Sequence, residues 1–428
     1  MAQAPLRILV AALGSHGDVH PFLAVGRELQ RRGHDVRMIL PAMYEELTAK
    51  VGLGFTPAGT VEQFDELSSN PDLWHPVKGF QVIARGVVTS LPWYYDAIVA
   101  NHEPGRTLLV MSTLLLAGRV AQETLHVPGV TVHLSPVALR SSFQPPRTPP
   151  LPIGPGLPRW WNALVYRAID FLVLDRAMAA GVNEFRRSKG LGPVGRLFEG
   201  YIHSPDRVLG LFPDWFAPPQ PDWPPQTILT GFPLYDEADI TPMDSKLENF
   251  LNEGAPPIAI TPGSAMRYGS EFFAAAIQTC QKLGRRGILL SRHSEHVPAD
   301  LPAQIIHVDY APFSRLLPRC CAIIHHGGIG TLSQGLAAGI PQLVISMAHD
   351  QADNGARLKR LGVGDSLAMG RFTGNRAAAM LGALLKPGAE SARRSIRQKL
   401  LNDQPLARTG AVIEETFGLS TIATPAQA

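Results

Sequence analysis

His325-His326-Gly327-Gly328-Ile329-Gly330-Thr331 stands between a short apolar run, Ala322-Ile323-Ile324, and a helix-period pattern, Ile329, Leu332, Leu336 and Ile340. The order reads strand, glycine-rich turn, helix. Such a turn aims free backbone N–H groups and the positive end of a helix dipole at one point. Its glycines let an anion approach the backbone closely, and the histidine before them can donate a further bond to a phosphate. After the apolar run Gln342–Ile345 comes a polar cluster, His349-Asp350-Gln351. A phosphate cradle followed by groups suited to hydroxyls reads as a site for a nucleotide-linked sugar.

The same rhythm recurs at the other end of the chain. Leu6–Ala12 is apolar, Gly14-Ser15-His16-Gly17-Asp18 is a turn, and Phe22, Val25, Gly26 and Leu29 recur at helical spacing, with Pro21 suited to the first helical turn. Val36–Leu40 is the next strand, completing a βαβ unit that implies a parallel sheet. Thr107–Met111 and Gly129–Leu134 extend it. In the second half Ile258–Thr261, Gly287–Ser291, Ile305–Val308, Ala322–Ile324 and Gln342–Ile345 repeat the α/β pattern. The stretch 145–158 is a proline-dense loop, and Trp160 to Arg187 is helical by pattern. The expected organisation is α/β: a first domain over 1–212, a proline-rich linker over 213–245, a second domain over 246–400, and over 401–428 a C-terminal helix with a frayed tail.

With 428 residues, 45% hydrophobic and 18% charged, the chain has enough apolar material for two cores. Lys and Arg exceed Asp and Glu by 39 − 36 = 3. So small an excess excludes nucleic acid as the expected partner. Three cysteines, two of them adjacent, do not make a disulfide framework. The N-terminal residues lead straight into a strand without a signal-peptide layout, and no apolar run reaches membrane-spanning length. A cytoplasmic location is expected.

These features together resemble the nucleotide-sugar glycosyltransferases of family 1, which have the GT-B fold: two doubly wound Rossmann-like domains facing a central cleft. The resemblance rests on Gly14–Pro21, Gly263-Ser264, Tyr310-Ala311-Pro312, His325–Thr331 and Asp350-Gln351, in that order and spacing. The segment Leu211 to Asp236 is similar to that of bacterial rhamnosyltransferases of the rhamnolipid type. The resemblance implies an acceptor-binding first domain, a donor-binding second domain, and a last helix that crosses back to the first.

On that resemblance Asp18 is the expected general base, deprotonating an acceptor hydroxyl as it attacks the anomeric carbon. An ordinary helix cap is the alternative role for Asp18, and His16 is the rival base. His325 is expected at the donor diphosphate, with Gly327, Gly328, Gly330 and Thr331 supplying backbone and hydroxyl bonds and Gly263-Ser264 approaching the same phosphates. Tyr310 is a shelf for the nucleotide base, and Pro312 shapes its loop. Asp350 and Gln351 are to bond sugar hydroxyls. Many UDP-sugar members carry a glutamate eight residues after the histidine, where it binds both ribose hydroxyls; here Ser333 stands there. That favours a deoxyribose donor, a dTDP-sugar over a UDP-sugar, with dTDP-rhamnose as the preferred choice. Ser112 occupies the place where plant members pair their base with an aspartate, so no charged dyad is expected.

Trp74, Phe80, Trp93 and Tyr94 lie where the family lines its acceptor pocket, and a hydrophobic acceptor such as a hydroxy-fatty acid or a flavonoid is expected. The amphipathic stretch around Trp160, Trp161 and Leu164 could hold an apolar acceptor or touch a membrane surface. No metal is expected: Cys320, Cys321, His325 and His326 are crowded, yet neighbours on a strand point opposite ways, and no Asp-x-Asp occurs. The expected activity is an inverting, metal-independent O-glycosyltransferase with no cofactor beyond its nucleotide-sugar co-substrate. Alternatives are a UDP-glucose-dependent glucosyltransferase acting on phenols or sterols, a sugar-nucleotide epimerase, and a non-catalytic nucleotide-sugar-binding partner. Gly14-Ser15-His16-Gly17 lacks the Gly-x-Gly-x-x-Gly of a dinucleotide oxidoreductase.

Overall fold

A computed structural model describes residues 5–75, 78–264, 266, 269–388 and 390–423. The first sheet contains β1 (Arg7–Ala11), β2 (Asp35–Leu40), β3 (Gly54–Pro57), β4 (Thr107–Ser112), β5 (Gly129–His133), β6 (Arg207–Gly210) and β7 (Thr227–Leu229) in the order β3-β2-β1-β4-β5-β6-β7. The second contains β8 (Ile258–Thr261), β9 (Gly287–Leu290), β10 (Ile305–Val308), β11 (Ala322–His325), β12 (Gln342–Ser346) and β13 (Gly364–Ala368) in the order β10-β9-β8-β11-β12-β13. All pairings in both sheets are parallel.

Each sheet starts in its middle and winds outward both ways, so strand order reverses between β1 and β4 and between β8 and β11. Loops leaving the carboxyl ends of strands diverge at such a point and open a crevice. The turns after β1, β8 and β11 all lie there. The central strands are buried on both faces: in β1 Ile8, Leu9, Val10 and Ala11 are all inaccessible. This is why they read as continuous apolar runs.

The stretch 213–245 differs from the expected linker. Thr227–Leu229 pairs with β6 through Val208↔Thr227 and Gly210↔Leu229, so the first domain extends beyond residue 212. Three residues among prolines are too short to show an alternating pattern. Edge strand β13, Gly-Asp-Ser-Leu-Ala, was missed for a related reason: it carries one large apolar residue. The helix Pro405–Ala423 packs on the helix His16–Arg31. Val412 and Ile413 join the first domain's core, and Glu414 bonds His34 at 2.9 Å.

Candidate functional site

The turn after β1 is built around Asp18. Ser15 precedes the helix His16–Arg31, and Asp18 occupies its first turn. Asp18 Oδ2 accepts the Ser15 N–H at 2.8 Å and the Ser15 hydroxyl at 3.0 Å. Oδ1 receives no hydrogen bond among the described residues. Gly14 has φ +136°, and a Cβ there would fall 2.3 Å from Asp18 Oδ2. The glycine therefore makes room for the carboxylate. Burial raises the Asp18 pKa, the Ser15 bonds partly offset this, and the charge of Asp350 across the cleft adds to the rise. Asp18 thus makes one half of a capping arrangement and also presents a carboxyl to the cleft.

His16 is placed differently. Its Nε2 lies 2.8 Å from Arg292 Nη1, which donates to it from the second domain. Burial and then Arg292 lower its pKa to about 4. The ring is neutral near pH 7, and the lone pair a base would use is already engaged. His20, one helical turn on, has Nε2 2.7 Å from Glu237 Oε1, close enough for an ion pair though not aligned as a hydrogen bond. Ser112 Oγ accepts the Leu13 N–H at 3.3 Å.

On the facing domain the cradle forms as its sequence suggests, with one change of actor. Gly328 begins the helix Ile329–Ala338 with no side-chain cap and no acidic residue in the first turn. The amides of Gly328, Ile329, Gly330 and Thr331 have no acceptor among the described residues, leaving a free cluster of N–H groups at a positive helix end. His325, however, is fully buried. It ends the central strand β11, flanked by Thr261 and Val344. Its Nδ1 accepts the Gly327 N–H at 3.1 Å, and its Nε2 lies 3.0 Å from Gln342 Oε1. Accepting at Nδ1 requires the N–H at Nε2, so both nitrogens are spent and none can reach a phosphate. Burial lowers its pKa to about 3. The expectation of a direct phosphate contact is corrected: His325 braces the turn.

His326 is the histidine that stands beside the amide cradle. Cβ atoms built at Gly263 and Gly328 would fall 2.8 Å and 2.4 Å from its ring. The imidazole therefore lies between the turn after β8 and the turn after β11. Its Nδ1 is buried without a partner. Burial, then His349, lowers its pKa to about 4, which keeps it neutral with one N–H to donate. Strand alternation forces one of two adjacent histidines outward and the other inward; the sequence alone does not say which. Gly263, at φ +98°, turns the chain beside it, and Ser264 is exposed.

His349 has φ +57° and turns the chain into the helix Gln351–Arg360. Asp350 accepts from Asn354 Nδ2 at 2.8 Å, and the same amide nitrogen holds the Gly327 carbonyl at 2.9 Å, linking this loop to the cradle. Burial raises the Asp350 pKa. Gln351 is buried, and its Oε1 accepts the N–H groups of Met347 and Ala348 at 2.7 and 3.1 Å. That oxygen is committed to the loop, while the Nε2 amide receives no partner among the described residues and is left to donate to a sugar hydroxyl. Ser333 is buried and returns its hydroxyl to the Gly330 carbonyl at 2.8 Å.

The Tyr310 hydroxyl donates to the Asp236 carbonyl at 2.7 Å, and its ring lies 5.2 Å from the Arg292 guanidinium. Pro312 is buried and starts the short helix Phe313–Leu316, whose Ser314 N–H bonds Asp236 Oδ2 at 2.5 Å. Arg292 was not singled out in the sequence. Its place just beyond the carboxyl end of β9 was the available signal. The domains are further joined by the Arg147 N–H to Asp353 Oδ1 at 2.8 Å and by Arg357 to the Phe216 carbonyl at 3.1 Å.

The expected acceptor residues separate. Tyr94 is core: it is buried and its hydroxyl donates to the Ala12 carbonyl at 2.8 Å, so its assignment to an acceptor pocket is corrected. Phe80 packs edge-on against Phe198 at 5.6 Å, and half-buried Trp93 covers Gly59. The Trp74 side chain lies outside the described residues. A groove of about 900 Å³ lies elsewhere, lined by Trp215, Trp223, Lys399 and Arg408; no residue of the cleft contributes to it. Among the described residues no group of three His, Cys, Asp or Glu side chains is arranged for a metal. Nor, among the described residues, is any helix long and apolar enough to cross a membrane.

Two facing Rossmann-like domains, a carboxyl-bearing turn on one and an amide cradle on the other, define the GT-B class. Residues 8–144 match the glycosyltransferase family 28 N-terminal domain, and residues 287–408 match the erythromycin biosynthesis protein CIII-like C-terminal domain. The chain is 30% identical over 379 residues to the O-mycaminosyltylonolide 6-deoxyallosyltransferase of Streptomyces fradiae, covering 83% of this chain and 84% of that one. It is 30% identical over 370 residues to glycosyltransferase GtfC of Amycolatopsis orientalis, covering 85% and 86%. Solved structures of the same fold include the kitacinnamycin glycotransferase (TM-score 0.75, 19% identity, 97% of this chain and 100% of that one). Another is the spinosyn rhamnosyltransferase SpnG complexed with thymidine diphosphate (TM-score 0.66, 18% identity, 96% and 100%). The chain belongs to the family 1 glycosyltransferases of GT-B fold and uses a nucleotide-sugar donor.

Proposed function

We propose that the protein is an inverting, metal-independent O-glycosyltransferase that takes its sugar from a dTDP-linked donor, rhamnose being the preferred sugar, and delivers it to a hydroxyl of a hydrophobic small molecule. The observation that carries this reading is Asp18, a carboxyl with a raised pKa and one oxygen unbonded, facing Asp350 and the amide cradle across the cleft. A general base works best with a pKa drawn toward the operating pH. His16, neutral and tied to Arg292, is the weaker base.

Asp18 takes the proton from the acceptor hydroxyl as that oxygen attacks the anomeric carbon. The carbon–oxygen bond to the diphosphate breaks, and the nucleoside diphosphate leaves with the bonding electrons. One displacement inverts the centre. The growing charge on the leaving phosphate meets the amides of Gly328 to Thr331, the helix end, and the His326 N–H. Asp350 accepts from sugar hydroxyls. Asp18 then releases its proton to solvent.

The donor reading rests on the residue eight places after the histidine that meets the phosphate. With His326 in that role it is Gln334, an uncharged amide, and the neighbouring Ser333 commits its hydroxyl to Gly330. Neither supplies a carboxylate to hold both ribose hydroxyls, and a buried hydroxyl without a partner is costly. The thymidine diphosphate of SpnG and the deoxysugar transferred by the Streptomyces fradiae relative are in keeping with such a donor. The test compares kcat/KM for dTDP- and UDP-linked forms of one sugar on a panel of apolar alcohols, with the anomeric configuration of the product read by NMR. A faster UDP form overturns the donor assignment, and a retained configuration overturns the single displacement.

A further inference from the structure

A helix on a protein surface ordinarily turns its apolar side inward. The helix Arg159–Ile169 and the π-helical turn Asp170–Leu174 that continues it do the reverse. The side facing the protein carries Asn162 and Asp170, both buried, with Leu174 as its only buried apolar residue among the described ones. Asn162 donates to the Ser142 and Gly154 carbonyls, each at 3.1 Å, and accepts the Gly154 N–H at 3.2 Å. Asp170 pairs with Arg140 at 2.5 Å. These bonds fix the orientation of the helix and commit its other side to the outside. There Phe171 is 78% exposed, Trp160 67%, Leu172 59% and Leu164 52%. Trp160, Leu164 and Phe171 share a helical face with Arg167, at steps of four and three residues.

The charges sort with the same asymmetry. Between residues 157 and 176 the basic side chains are Arg159, Arg167 and Arg176, all exposed. The acids are Asp170, buried against Arg140, and Asp175, which accepts the N–H groups of Arg196 and Leu197 at 2.8 and 3.0 Å. The exposed charges of this segment are therefore all positive among apolar and aromatic side chains, and the neighbouring exposed acid, Glu199, is paired with Arg196. A protein partner of mixed charge would not need every acid withdrawn. A second copy of the chain would set these arginines against themselves across a two-fold axis. An anionic lipid surface satisfies both features, taking the apolar side chains at the acyl boundary and the guanidinium groups among its headgroups.

We propose that residues 157–176 form a membrane-surface contact selective for anionic lipid. It holds the enzyme where apolar acceptors partition, and it is separate from the donor and base sites. The test is sedimentation of the full chain with phosphatidylglycerol-rich vesicles and with pure phosphatidylcholine vesicles, at low and high salt. The expected result is binding to the first, weakened by salt, and little to the second. Phe171→Ser with Leu172→Ser should lower vesicle affinity at least about tenfold, the scale of losing one buried aromatic side chain. Turnover on a water-soluble acceptor and the melting temperature should stay unchanged. Arg159→Gln with Arg167→Gln, which leaves the apolar face intact, should remove the preference for phosphatidylglycerol. Failure of the wild type to bind either vesicle overturns the proposal, as does undiminished binding by the serine variant. A dimer in sedimentation velocity that the serine variant abolishes, without vesicle binding, assigns the face to a second copy instead. A raised KM for the soluble acceptor in that variant assigns it to the acceptor pocket.

Discussion

His325 and His326 are adjacent and chemically identical, and the structure assigns them opposite tasks, so exchanging each for alanine is a direct trial of the site. His325→Ala removes two buried bonds of 3.0 and 3.1 Å and strands the Gln342 carbonyl and the Gly327 N–H. Each buried group left without a partner costs about 1–3 kcal/mol, and the cavity adds to this. The expected loss is about 3–5 kcal/mol, a large share of the roughly 5–15 kcal/mol that holds a domain together. Calorimetric melting reads it. The wild type adds a signature in pH. The folded ring has its pKa near 3 against an ordinary 6.5, so below 6.5 the unfolded chain takes up a proton that the folded chain refuses. Stability is complete above that value and falls as pH drops toward 3, by about 2 kcal/mol at pH 5 from this residue. His325→Ala should lose that part of the pH dependence. His326→Ala should melt near the wild type yet bind dTDP more weakly by about 1.5–3 kcal/mol, the value of a hydrogen bond to a charged group, read by titration calorimetry. If His325→Ala keeps its stability and loses dTDP while His326→Ala binds normally, the assignment is reversed and the reasoning from burial fails.

Asp18→Asn keeps the shape of the turn and cannot accept a proton, so turnover should fall roughly 10²–10⁴-fold with dTDP affinity unchanged by calorimetry; near-normal turnover would move the base elsewhere. Because Asp18 must be ionised to act and its pKa is raised, kcat/KM should fall as pH drops through a value above the ordinary carboxylate range. Ser15→Ala, which removes a bond that favours the charged form, should shift that limb to higher pH, and a downward shift would contradict the bond's role. Gly14→Ala would bring a Cβ within 2.3 Å of Asp18 Oδ2 in a backbone conformation that alanine resists; turnover should drop by about 10²-fold, as for a displaced catalytic group, while dTDP binding persists. Tyr94→Phe should cost about 1 kcal/mol of stability through the lost bond to Ala12 and leave the acceptor KM unchanged, whereas a raised KM would return Tyr94 to the acceptor pocket.

Much of the architecture could be read from one dimension because its determinants are local. Strands buried on both faces must be apolar throughout, so β1, β4, β8, β11 and β12 stood out within a residue or so of their ends, and the glycine turns after β1, β8 and β11 marked the carboxyl edge where a cleft opens. Strands β3, β6, β7 and β13 carry too little apolar sequence to stand out: three are edges, where one side needs no apolar run, and β6 places only Val208 and Leu209 between Arg207 and Gly210. Position in the fold decided the rest. Alternation along β11 required that one histidine face inward, but only the side chain of Gln342, reaching over from the neighbouring strand β12, selected His325. Arg292 reached His16 because two domains separated by hundreds of residues close on each other, and no spacing within either domain encodes that approach. The helix 159–169 shows the limit most plainly. Its amphipathic pattern was visible, and pattern alone would turn Trp160 and Leu164 toward the core. The bonds of Asn162 and Asp170 to a loop and an arginine outside the helix turned them outward. A sequence states that a helix has two faces; which one is buried depends on the partners that tertiary structure brings to it.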